Sequence, residues 1–74
     1  MLYQIRKAYN EGKNIEIMYI NQKSQITQRV IKILEIHEHV ITAYCYKQRS
    51  LRLFKIENIL SGQIVKAQRK NRGA

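Results

Sequence analysis

Three stretches between Ile15 and Ile56 repeat their apolar residues at every second position, the period of a half-buried strand rather than of a helix. In the first, Ile15, Ile17 and Tyr19 alternate with Asn14, Glu16 and Met18. In the second, 39–46, Val40, Thr42, Tyr44 and Tyr46 share one side, and Ile41, Ala43 and Cys45 the other. The third, 51–57, sets Arg52, Phe54 and Ile56 on one side. A further β-rich stretch, 25–36, has apolar residues on both faces (Val30, Ile31, Ile33, Leu34, Ile36), which predicts a bend or bulge where the strand passes around a small barrel. The polar runs 21–24 and 47–50 read as turns. Ile59 and Leu60 read as a short turn-like element over the barrel mouth, and Ser61-Gly62 as the lead into a last strand over 63–67.

Before Ile15 the spacing is different. Leu2, Ile5, Ala8 and Tyr9 fall at intervals of three and four, so 2–10 reads as a short helix, ended near Gly12. The predicted fold is therefore mainly β: a short N-terminal helix followed by a five-stranded SH3-like or Sm-like small barrel, a closed form that leaves few exposed edges. At 74 residues the chain makes one domain, taken as 1–65, with 66–74 as a basic flexible tail.

Charge narrows the partners. Fourteen Lys and Arg face five acidic residues, for a net charge of +9. It gathers toward the C-terminus: eight basic residues and only Glu57 lie in 47–74, among them Lys66, Arg69, Lys70 and Arg72. Such a chain attracts polyanions, because each neutralised phosphate releases a counterion. The apolar runs are too short to span a bilayer, and the tail has no apolar face to lie on one, so no membrane partner is expected. No apolar leader opens the chain, and Cys45 is the single cysteine. These features predict a soluble cytoplasmic domain without disulfide, cofactor or metal.

Enzyme chemistry is not expected. The glutamates show no paired spacing, and three glycines give no phosphate-cradling loop. His37 and His39 share one side of a strand but number fewer than a metal site needs, and they read as a solvated turn. Cys45, alternating with Ile41 and Ala43, reads as a small buried hydrophobe.

An ordered set of local patterns carries a family resemblance: Ile5-x-x-Ala8, Lys13-x-Ile15-x-Ile17-x-Tyr19, Arg29-Val30, Ala43-Tyr44-Cys45, and Arg52-x-Phe54-x-Ile56-x-x-Ile59. In this order and spacing, over about residues 3–65, the chain resembles the WYL domain. The family's Trp-Tyr-Leu aligns with His39-Val40-Ile41, and Ile33 stands where a proline is usual. With one short helix upstream of it, the chain reads as an isolated, divergent WYL-like barrel. The resemblance implies an Sm-type barrel of bacterial transcription regulators, sensing a nucleotide or single-stranded nucleic acid. Tyr44, Arg52 and Arg29 match the family's positions.

The candidate ligand- or nucleic-acid-binding residues are accordingly Arg29, Tyr44, Tyr46, Arg49 and Arg52. Arginine offers a planar fork of donors matched to phosphate, and tyrosine offers a ring for base stacking. Two readings stay open for Arg52: it meets an anionic ligand, or it pairs internally with Glu57 or Glu35. Tyr44 and Phe54 also suit the core. The leading expectation is a ligand-sensing or nucleic-acid-binding module linked to transcription regulation. The alternatives are a homo-oligomeric interaction module, with Met18, Ile20 and Leu53 at its interface, and an Sm-like RNA-binding protein.

Overall fold

The computed structural model describes residues 2–65; the basic segment 66–74, assigned above to a flexible tail, lies outside them. One helix, α1 (Leu2–Glu11), precedes five strands: β1 (Asn14–Ile20), β2 (Ile26–Ile36), β3 (Val40–Cys45), β4 (Ser50–Lys55) and β5 (Ile59–Ile64). They form one antiparallel sheet in the order β4-β3-β2-β1-β5, so β4 and β5 are its outer strands. The helix-then-sheet plan read from the sequence is the plan observed. No helix among the described residues is long and apolar enough to cross a membrane.

The core gathers on one face of the sheet. Ile15 and Ile17 of β1, Ile31 and Ile33 of β2, and Ile41, Ala43 and Cys45 of β3 are buried there, with Phe54 and Ile59. Cross-strand partners point to the same side: Ile15 lies opposite Ile31, Ile31 opposite Cys45, and Ile41 opposite Phe54. No polar or charged side chain is buried among the described residues. Helix α1 packs on β1, β2 and β5. Only Ile5 and Ala8 are buried from it, while Leu2 and Tyr9, expected on the same side, stay exposed.

Local chemistry sets the connections. Gly12 has φ +64, and the bonds Gly12 N–H to the Tyr9 carbonyl and Lys13 N–H to the Ala8 carbonyl close α1 in a left-handed cap. At the β1–β2 hairpin, Asn21 Oδ1 accepts from the amides of Lys23 (2.8 Å) and Gln25 (2.9 Å), which holds the turn through Ser24 at φ 63. The bulge expected in 25–36 is present as a register shift between Ile33 and Glu35. It explains the apolar residues on both faces. Before it, Ile31 and Ile33 point into the core; after it Ile36, opposite Ile41, does so, while Leu34 is left exposed.

The end of the sheet differs from the sequence reading. The short turn is a 3₁₀ helix at Ile56–Asn58, and β5 begins at Ile59. Two partners place it. The Ile56 amide donates to the His39 carbonyl at 2.9 Å, and Ile59 is buried opposite Tyr19. Ser61 and Gly62 then pair with Met18 and Ile17, so they lie inside the strand rather than ahead of it. Pairing with β1 overrides the local turn preference of Ser-Gly.

Tyr19 ties β1 to the end of β4. Its ring meets Phe54 edge-on (centroids 5.0 Å apart, planes at 83°), and its hydroxyl accepts a hydrogen bond from the Lys55 amide at 3.1 Å. β1 and β4 are not neighbours in the sheet, so this contact requires the sheet to curl. Tyr19→Phe keeps the ring and removes the acceptor. We expect a loss of about 0.5–1 kcal/mol in urea unfolding, with faster amide exchange at Lys55 as the specific mark. An unchanged Lys55 exchange rate would show that the hydroxyl does not hold the strand end.

Candidate anion-binding site

Strand phase decides where each candidate side chain goes. On β2 the inward residues before the bulge are odd-numbered, and Arg29 lies opposite the buried Ile17. Arg29 therefore points to the inner face, one step beyond the end of the isoleucine row. There its Nε donates to Thr27 Oγ1 (3.2 Å) and its Nη1 to Cys45 Sγ (3.7 Å). Arg52 lies opposite the buried Ala43, on the same face of β4 as Phe54, and is exposed. The two arginines thus share a face, two strands apart, with Cys45 and its partner Ser50 between them. Among the described residues the ion pairs are Lys13–Glu11, His37–Glu35 and His39–Glu38, and none includes an arginine. Neither Glu35 nor Glu57 takes up Arg52.

Tyr44 and Tyr46 belong to the other face. They alternate with Ala43 and Cys45, and their rings meet edge-on at 5.1 Å and 77°. Tyr44 lies opposite Lys32, and the Tyr46 hydroxyl donates to Asn14 Oδ1 at 3.1 Å. Arg49 sits in the β3–β4 turn at φ 54, exposed, its amide donating to the Cys45 carbonyl at 2.7 Å. The five candidates are therefore distributed: Arg29 and Arg52 inside, Tyr44 and Tyr46 outside, Arg49 at the joining turn. Thr27 and Ser50, the polar neighbours on the inner face, were not singled out from sequence. Their signal was there, since Thr27 alternates with Arg29, and Ser50 with Arg52.

Cys45 is electrostatically coupled to this face. Burial acts to raise its thiol pKa, but the backbone amide of Gln48, the Arg29 guanidinium and the amide of Lys47 together outweigh it. The thiol lies below its ordinary value, as donors and a cation favour the thiolate. A group with a lowered folded-state pKa adds stability above its unfolded value and loses it as pH falls through the folded one. The stability gap between the wild type and Cys45→Ala should therefore widen as pH is raised from neutrality toward the ordinary thiol range. A gap independent of pH in denaturant titrations would show that the donors do not stabilise the thiolate. No group of three or more metal-ligating side chains occurs among the described residues.

Neither a family model nor a curated protein matches this sequence. Among solved structures, the chain is similar to proteasome accessory factor B/C (PafBC) of Arthrobacter aurescens, at 22% identity and a TM-score of 0.78. The match covers 85% of this chain and 11% of that one, so the chain spans a small fraction of the neighbour's length. The likeness is one of fold alone.

Proposed function

We propose that this domain is a ligand-sensing module of a transcription regulator, binding a nucleotide or a short single-stranded nucleic acid through its inner-face arginines. One observation carries the reading: Arg29 and Arg52 share the face that holds the apolar core, and no carboxylate among the described residues pairs with either. An arginine beside an apolar surface gains most from an anion that fills its fork of donors. Arg29 is half held already by Thr27 and Cys45, so less side-chain freedom is lost when an anion binds. Arg49 adds a cation at the turn, and the net charge of +9 draws polyanions toward the domain. The fold likeness to PafBC and the WYL-like residue pattern support the same reading. The domain acts by binding, without a catalytic group, cofactor or metal.

Placement of the tyrosines on the opposite face makes the test discriminating. Fluorescence anisotropy with short single-stranded DNA and RNA, at two salt concentrations, should give saturable binding. Arg52→Ala should weaken it about tenfold, the worth of one charge-assisted contact, while Tyr44→Ala changes it less. The Arg52 side chain is exposed, so its removal leaves the fold intact. Binding that disappears with salt and is unchanged by Arg52→Ala would reduce the effect to generic charge and overturn the site. A larger loss with Tyr44→Ala than with Arg52→Ala would move the site to the outer face.

A further inference from the structure

β4 is an outer strand, and the hydrogen bonds at its end reveal which of its amides are free. The Ile56 amide donates to the His39 carbonyl, and bonded pairs alternate along an antiparallel ladder. By that alternation Phe54, Arg52 and Ser50 bond inward to β3, while the amides of Leu51, Leu53 and Lys55 point off the sheet. That of Lys55 does so, and the Tyr19 hydroxyl takes it. The amides of Leu51 and Leu53 remain on the open edge. Their side chains are 60% and 68% exposed, on the outer face beside Tyr44 and Thr42.

Exposed leucines along an unpaired edge are a template for an added strand. The surrounding charge selects which strand. Residues 47–55 carry Lys47, Arg49, Arg52 and Lys55 and no carboxylate. The sheet's other edge, β5, holds no acidic residue in Ile59–Ile64, and every copy of the chain carries +9, so a second copy supplies no complement. Open amides at strand spacing are matched by the carbonyls of an extended peptide, which an oligonucleotide lacks in that register, and this favours a peptide.

We propose that the β4 edge docks an extended, acidic segment of another protein as a sixth strand. The segment's carbonyls accept from the amides of Leu51 and Leu53, its alternate apolar residues cover the two leucines, and its carboxylates meet the cations of 47–55. Tyr19, by capping Lys55, ends the docking edge at the 3₁₀ turn.

The probe is a capped peptide of alternating glutamate and valine, with a lysine–valine counterpart, titrated into the full chain while backbone amides are followed by NMR. The acidic peptide should bind saturably and slow exchange at Leu51 and Leu53, and the basic one should not bind. Leu53→Pro deletes one edge amide, a change an outward-facing edge position tolerates, and should weaken binding at least about tenfold. The pair Leu51→Thr with Leu53→Thr keeps strand propensity and should do the same, so the test survives if the proline variant unfolds. Unchanged Leu51 and Leu53 exchange at saturating peptide overturns the proposal, as does wild-type binding by the threonine pair. Slowing that rises with protein concentration alone would identify a second copy as occupant, and slowing by single-stranded DNA would identify nucleic acid; either overturns it. Arg52→Ala in the oligonucleotide titration tests the inner-face reading separately.

Discussion

The row of isoleucines across the inner face sets the phase on which the rest of the structure depends. Ile17, Ile15, Ile31 and Ile41 are buried together, and each lies opposite an inward-facing residue of a neighbouring strand. Because side chains alternate with a period of two, a slip of one residue would turn this set to solvent and exchange the faces of every other group. The same phase sends Arg29 and Arg52 inward and Tyr44 and Tyr46 outward. The core and the candidate site are therefore one decision.

So small a domain buries a modest share of its surface, and its margin depends on completing that core. Helix α1 contributes Ile5 and Ala8 over β1, β2 and β5. Tyr19 draws β1 toward the end of β4 by ring and hydroxyl. The bulge after Ile33 lets one long strand serve the core on both sides of a bend, with Leu34 turned to solvent. Among the described residues no charged side chain is buried, so their cations lie outside the core and do not take part in its packing. Arg29 is the nearest to an exception, half-buried and leaning on Thr27 and Cys45.

The two surfaces use charge differently. On the inner face, Arg29 and Arg52 stand on the same side as the core, which is the basis of the proposed anion site. Along β4, cations flank leucines and open amides, where an extended acidic chain gains main-chain bonds and apolar cover together. Arg52 and Arg49 lie near both, so one strand and its turn join the two faces.

Much was legible from residue order alone. The switch from three-and-four spacing to a period of two separated α1 from the strands. The double-faced apolar pattern of 25–36 announced the bulge, and Gly12 and the 21–24 run marked their turns, since each of these is set by neighbours a few residues away. The arginine and tyrosine candidates were legible as residue types, but not as a group. Which faces they share depends on pairing between strands, a contact between residues far apart in the chain. The same holds for the end of the sheet: Ser61-Gly62 looks like a turn by itself, and becomes strand because Met18 and Ile17 supply its partners. Local sequence determined the helix, the first four strands and their two-residue alternation; long-range register decided the last strand, which face each candidate residue shares, the open edge and Tyr19's capping of it, because hydrogen-bond partners across a sheet are chosen by the whole core.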